Sequence, residues 1–424
     1  MVKKVLVYII SPIHVISSIC AIKTLYEEKS IKAILLVHWP GVNDAIVKEL
    51  GDIVRVLSMN FKFINKVISI STAQKAQFLL NKNIQTATYM LNLFVGEADI
   101  HELYYAHDID GGMYQFLCTA YPNAKRICFG DAFGNVYQKE IHLSFLNVKK
   151  NEPNINNIKK PTRMKFLNIP RIAQKIKTTL SNIKIRVFNK TSKKSSIDIV
   201  FQEFKPNMAV LILPIDQSGE YLKTLPFIIC KKKLFLEILD QCIFNAQELQ
   251  NYCTEIINKY CNRNKLLLMT ENFAEGNFID FNKEIEMWCT IIRRKVDKGG
   301  VVFLKSHPGE TLNRNERIRK CLEGDIEVVE LDKRFKRYPI EIWRELVLNC
   351  KIVCLSYPII SLKYIYDINV IQTMNDGLIE KWFPEWVWAS YKNALSLYME
   401  PLKRLPSWDG KGVLYTGKYK AQNF

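Results

Sequence analysis

The 424-residue chain contains no GxGxxG and no GxxxxGK[ST], so neither a dinucleotide fingerprint nor a P-loop is available to hold a nucleotide. It contains no CxxC. Its 11 cysteines stand singly, most of them in apolar contexts such as Cys128 and Cys354, which fits packed thiols in a reducing cytoplasm rather than a disulfide framework. No cluster of His, Cys, Asp and Glu has metal spacing apart from the triplet Asp108-Ile109-Asp110. That triplet could hold a divalent ion in a nucleotide-sugar transferase of another fold. There is no collagen-like or mucin-like bias and no internal repeat. Acidic residues are scarce, 42 against 60 Lys and Arg, for a formal charge of +18.

Long apolar runs are also missing, with one exception to weigh. Residues 5–22 carry no Lys, Arg, Asp or Glu over the nominal length of a membrane span. The stretch holds three serines, Pro12 and His14, and its apolar start, Val5 to Ile10, is too short for a signal peptide. It is predicted to be a buried strand (VLVYII), a turn (SPIH) and a helix running to Glu27.

What is present is a globular composition, 48% hydrophobic and 24% charged, in a chain too long for one ordinary core. Short apolar runs alternate with helix-like segments. In the first half these are 5–10, 33–39, 53–59, 102–108 and 125–131, with AVLILPID (209–216) rejoining the first sheet. Residues 231–260 read as helix and linker. A second series follows: 265–271, 301–307, 326–331, 351–357 and 369–375, with helices at Glu284–Lys298 and Ile340–Leu348 between them. Strands rich in Val, Ile and Tyr separated by helices imply βαβ units and parallel sheets.

The predicted fold class is therefore α/β, of GT-B type: two Rossmann-like domains with parallel sheets facing a central cleft. Residues 1–225 form the first, acceptor-side domain with a basic insertion at 149–195, 226–260 the linker and helix, 261–385 the second, nucleotide-sugar-binding domain, and 386–424 an aromatic helical tail packing back on the first domain. The insertion gathers the charge. Residues 149–194 hold 14 Lys and Arg against one acid, Glu152. Ile169, Ile172, Ile176 and Ile183 lie there at near-helical spacing. Nucleic acid, anionic lipid and an acidic polymer are all attracted to such a segment, and a solvated insertion is the plain alternative. No zinc-finger, RRM or KH signature accompanies the charge, so nucleic acid is not expected as a partner.

The richest motif is VVFLKSHPGE (301–310), an apolar strand that delivers His307 and Pro308 to the carboxyl end of a parallel sheet, where open α/β sheets bind ligands. His307 can donate a hydrogen bond to a phosphate there. Chance supplies only about 0.2 His-Pro pairs in such a composition. A second motif, RICFGDAFGNVY (126–137), ends another strand on Asp131.

These motifs resemble those of the bacterial sialyltransferases and polysialyltransferases, a GT-B superfamily that uses CMP-activated nonulosonic acids. Gly130-Asp131-Ala132 stands where the family has an acidic [DE][DE]G motif, His307-Pro308 matches its HP motif, and CLSYPIIS (354–361) is similar to its serine motif. SPIH and HDIDGG (107–112) resemble the polysialyltransferase branch. The acidic motif departs from the pattern, with one carboxylate instead of two.

The resemblance implies an inverting, metal-independent transferase with no cofactor besides its CMP-sugar donor. It would act on a glycan or lipid-linked glycan of the bacterial surface, capsule or lipopolysaccharide. Asp131 would be the base, or else a turn aspartate. His307 and Pro308 would meet the donor phosphate, with a structural histidine as the alternative. Ser356 or Ser361 would complete an anion site at a helix start, or merely cap it. Glu341, in YPIEIW, would accept from the ribose hydroxyls, or serve the helix dipole. Asn272, in TENFAEG (270–276), is a further donor-side candidate, and His14 and Asp108 could hold the acceptor. A Kdo or CDP-glycerol-type transferase of the same fold, and a non-catalytic basic polymer-binding or nucleic-acid-binding protein, are the competing readings. The expected location is the cytoplasm, at the inner membrane face, through residues 149–194.

Overall fold

Seven parallel strands make the first sheet: β1 Lys3–Ile9, β2 Ile31–Val37, β3 Ile64–Ser69, β4 Glu102–Tyr105, β5 Lys125–Cys128, β6 Met208–Leu211 and β7 Phe227–Ile229. Their order is β3-β2-β1-β4-β5-β6-β7. The computed structural model describes residues 2–39, 42–81, 83–106, 112–131, 206–213, 226–356, 358–368 and 376–387. The basic segment 149–194, residues 107–111 with Asp108, and the expected strand at 369–375 lie outside them.

The predicted strands at 5–10, 33–39, 102–108, 125–131 and 209–216 all appear in this sheet, because parallel strands covered on both faces read as continuous apolar runs. The run at 53–59 does not. It lies in helix α2 (Asp44–Ser58), whose Val47, Leu50, Ile53, Val54 and Leu57 are buried on one helical face. Asn43 caps that helix by accepting the Ile46 N–H at 3.0 Å. β-Branched residues at helical spacing were mistaken for a strand. The true third strand is INKVIS, an edge strand with only one fully buried residue.

The second sheet has four parallel strands: β8 Lys265–Met269, β9 Val301–Lys305, β10 Glu327–Glu330 and β11 Lys351–Val353, in the order β10-β9-β8-β11. Four strands of the first sheet repeat this permutation as β3-β2-β1-β4. In each set the chain winds outward from a central strand and then crosses to its other side. The crossover creates a switch point at the carboxyl ends, β1/β4 in one sheet and β8/β11 in the other.

Helix α1 (Ile13–Leu25) follows β1, and α8 (Phe281–Lys295) and α9 (Arg314–Leu322) flank β9 in sequence. Asp280 caps α8 by accepting the Asn282 N–H at 2.9 Å. The helix expected at Ile340–Leu348 is split by Trp343 into a 3-10 turn, Ile340–Ile342, and α10, Arg344–Asn349.

The linker is two helices, α6 (Lys232–Asn245) and α7 (Gln247–Lys259), meeting at Ala246. Asn245 donates to Leu57 O on α2 at 3.0 Å, while Gln250 donates to Ile342 O of the second unit at 2.9 Å. Arg337 pairs directly with Glu49 of α2. One apolar cluster runs from Val5 and Ile16 through Phe235 and Leu249 to Phe303 and Trp343, so the two sheets share a joint. Two parallel sheets so built and so joined have the GT-B architecture.

Trp386 and Val387, the start of the tail expected to return to the first domain, pack in the second unit. Val387 joins its core cluster, and Trp386 lies 6.1 Å from Phe278. The rest of that tail lies outside the described residues. All 11 cysteines are free thiols, and no described helix is long and apolar enough to cross a membrane.

Candidate active site

In the first sheet, two residues 117 positions apart meet at the carboxyl ends of the strands. His14 stands in the first turn of α1, fully buried, its ring edge-on to Phe129 at 5.4 Å. Its Nδ1 accepts the Ile10 N–H at 3.3 Å, which leaves the proton on Nε2. Nε2 then donates to Asp131 Oδ1 at 2.7 Å. Asp131 follows β5 through Gly130, whose φ of +70° is a left-handed conformation that glycine adopts without strain. The departure from a two-carboxylate motif thus has a backbone reason: position 130 makes the turn that aims Asp131. The Asp131 side chain is 18% exposed. His14 is within reach of Asp131 and has no exposed surface of its own, so it orients the carboxylate.

In the second sheet, His307 follows β9. Its Nδ1 accepts the Gly309 N–H at 3.1 Å, so Nε2 again carries the donor proton. Pro308 sits inside the turn that the Glu310 N–H closes on His307 O at 3.0 Å. Burial, then the charges of Lys305 and Arg314, push the imidazole down to about 4. At neutral pH it is an uncharged hydrogen-bond donor. Asn272 lies alongside: a Cβ built on Gly309 would stand 3.4 Å from His307 Nδ1 and 3.8 Å from Asn272 Nδ2.

The serines separate. Ser361 is buried on α11 (Pro358–Tyr366), 2.6 Å from Glu341 Oε1. Glu341 is buried with it, its carboxyl pushed upward by burial, and Tyr366 donates to its backbone oxygen at 2.5 Å. Ser356 is only half-buried, at the bend between β11 and α11. The structure therefore brings together His14 with Asp131, Asn272 with His307, and Glu341 with Ser361. Asp108 lies outside the described residues.

Three residues were not foreseen. Glu271 lies two residues beyond β8 with its side chain buried. Desolvation raises its carboxyl to about 7. Lys305 is buried at the end of β9, donates to Lys336 O at 3.0 Å, and is lowered by burial to about 8. Both carried a signal, a charged residue at the end of an apolar strand or just beyond it. Arg314 carried none in its polar run, yet it is the most connected charge in the second unit. Its guanidinium has no exposed surface and meets Glu284 at 3.0 Å, Glu275 at 2.5 Å and Glu310 at 3.4 Å. Glu275 also accepts the Thr311 and Leu312 N–H groups at 3.2 and 3.4 Å. The loop after β8 is thereby bound to the loop that carries His307.

Strand-end hydrogen-bond donors in the second sheet and an oriented carboxylate in the first suit transfer of a group from a phosphate leaving group to a hydroxyl. Two sheets with these sites define the GT-B glycosyltransferase class. Residues 217–373, which run from the approach to β7 through the second sheet, match the family model described as alpha-2,8-polysialyltransferase (POLYST). The chain is sialyltransferase-like over that segment, as the HP and serine motifs imply.

No curated protein matches the chain. Among solved structures it is similar to the alpha/beta-galactoside alpha-2,3-sialyltransferase of Photobacterium phosphoreum, at 13% identity and a TM-score of 0.38, covering 88% of this chain and 98% of that one. It is also similar to a 2,6-sialyltransferase of Vibrionaceae Photobacterium sp. JT-ISH-224, solved with CMP and lactose, at 14% identity and a TM-score of 0.41, over 95% and 78% of the two chains. A sialyltransferase of Photobacterium damselae gives 10% identity and a TM-score of 0.37, over 92% and 97%. Likenesses this distant carry no functional weight.

Two substitutions test the geometry. Gly130→Ala puts a side chain in the left-handed region and should cost about 1–2 kcal/mol of stability. Its larger effect should be displacement of Asp131, seen as loss of the His14–Asp131 contact in a structure of the variant. Arg314→Met strands buried carboxylates and should cost about 3–5 kcal/mol. Glu284 and Glu310 are already raised by burial and lose the Arg314 charge that offsets it, so in the variant stability is present at low pH and lost as pH rises through their folded-state values. Denaturant melts should show a smaller deficit at pH 5 than at pH 8.

Proposed function

We propose that this protein transfers a nonulosonic acid, sialic acid or a relative, from a CMP-activated donor to a hydroxyl of a bacterial surface glycan, in capsule or lipopolysaccharide. Transfer inverts the anomeric centre and needs no metal ion. The match over residues 217–373 supports the donor class. The observation that carries the chemistry is the 2.7 Å pair between His14 and Asp131.

In this reading the acceptor hydroxyl sits against Asp131, in a cleft between the two sheets. Asp131 takes its proton as the oxygen attacks the anomeric carbon of the donor. The bond from that carbon to the phosphate oxygen breaks on the opposite face, and CMP leaves with the electron pair. His307 Nε2–H and the Ser356 hydroxyl, with the N-terminus of α11, receive the growing negative charge. Asn272 and Glu341 complete the donor side. His307 works as a neutral donor, since a histidine held near 4 has no spare proton to give at pH 7.

Asp131→Asn should keep CMP binding and lower turnover by about 10²–10⁴. His307→Ala should cost about 2.7–4 kcal/mol at the transition state, with thermal unfolding little changed, and EDTA should leave the wild type active. Wild-type turnover in Asp131→Asn removes the base assignment. CMP release from CMP-sialic acid without acceptor separates this donor from that of a Kdo or CDP-glycerol-type enzyme and from a non-catalytic protein.

The 14 cations of residues 149–194 would hold the cytoplasmic enzyme at the inner membrane face, each contributing on the order of 1 kcal/mol and screened by salt. Co-sedimentation with anionic liposomes should fall in a 149–194 deletion. Equal binding by both proteins leaves the segment an acceptor-binding strip.

A further inference from the structure

Helix α2 is fastened to its surroundings at two places. At its C-terminal end, Asn245 of α6 donates to Leu57 O at 3.0 Å, and Asn60, just beyond the helix, donates to Asn245. In its first half, Glu49 pairs with Arg337, which follows β10. Glu49 and Leu57 are separated by about 12 Å of helix. Two bodies joined at one point can turn about it. A second fastening at this distance on the same rigid helix opposes that turn.

The second unit meets both fastenings through one short segment, residues 336–343. Gln250 of α7 donates to Ile342 O at 2.9 Å and ties the segment to the linker. Trp343 Nε1–H donates to Tyr338 O at 3.3 Å and folds the segment on itself. The same segment holds the strand end that leads to His307. Lys305 donates to Lys336 O at 3.0 Å, and Lys336 donates to Glu310 O at 3.2 Å. The Glu310 N–H closes the turn that contains His307 and Pro308. The His307 loop and the contact with α2 therefore hang on the same few residues.

Two further ion pairs of the second unit end on the linker, Arg334 on Glu248 and Arg344 on Asp240. Among the described residues, Arg337–Glu49 is the ion pair that bypasses the linker and joins the two units directly. The Arg337 side chain is only 14% exposed, and Glu49 is its one ion-pair partner among those residues.

We propose that Arg337 is a positioning residue: by holding Glu49 it fixes the angle between the two units, and with it the distance from Asp131 to the anomeric carbon of a donor held at His307. The inference rests on the donor reading given above and adds a residue that touches neither substrate. An ion pair with one part-exposed partner can bias such an equilibrium about 5-fold. It therefore tunes an alignment that the shared apolar cluster already favours.

The test is CMP release from CMP-sialic acid with water as the acceptor, followed in a single turnover so that product release does not mask the chemistry. Calorimetric binding of CMP runs beside it. Glu49→Arg and Arg337→Glu should each slow release about 5-fold, with CMP affinity and thermal unfolding close to wild type. Glu49→Gln, which removes the charge without introducing a repulsion, should slow it about 3-fold. The double variant with both reversals should recover to within about 2-fold of wild type. Wild-type rates in the single variants, or losses that add in the double variant, overturn the proposal. So does a fall in CMP affinity that matches the fall in rate, which would make Arg337 part of the donor pocket. Each of those results leaves the donor reading standing. A wild type that neither binds CMP nor releases it from CMP-sialic acid removes both.

Discussion

A guanidinium with no exposed surface lies beneath the second sheet's carboxyl edge. Arg314 is charged there only because three carboxylates surround it, and burial alone costs several kcal/mol per ion. Burial works against the Arg314 charge, but Glu284 and Glu275 together raise its proton affinity above that of a free guanidinium. The arrangement ties α8, the loop after β8 and the loop after β9 into one unit. His307, Asn272 and Glu271 all lie on those loops or at their roots. This edge of the second sheet is thus preorganised by charge buried below it, which is how strand-end loops acquire the precision of a scaffold.

The first sheet solves the same problem with a single pair of side chains. Its acidic residue is aimed by a glycine turn and held by a histidine whose other nitrogen is already engaged. The two edges are complementary: one offers a proton acceptor, the other uncharged donors with cations close behind. Burial first, and then the charges of Lys305 and Arg314 behind it, keep His307 neutral. Two switch points built on the same strand permutation present these edges, and the α6–α7 joint with the Arg337–Glu49 pair relates them.

The strands of both sheets were legible wherever both faces are covered, as in VLVYII and VVFLK, and the HP and serine motifs were legible with them. Legibility failed where one face is wet. INKVIS reads as polar although it is β3, and the helical 53–59 reads as a strand because its Val and Ile fall on a buried helix face. The site was legible by residue but not by pairing. His14 and Asp131 were both singled out, and only the fold brings them within 2.7 Å. Ser356 and Ser361 looked equivalent until burial separated them. Arg314 was invisible because one arginine in NRNERIRK looks like the next, and what distinguishes it is three partners supplied from elsewhere in the chain.

The central claim is that the carboxyl edge of the second sheet holds the phosphate of a cytidine nucleotide. A crystal structure with CMP soaked in tests it most directly. The account predicts a phosphate oxygen within hydrogen-bond distance of His307 Nε2 and another at the Ser356 hydroxyl. CMP bound elsewhere on the protein, with neither residue in contact with it, would contradict the account.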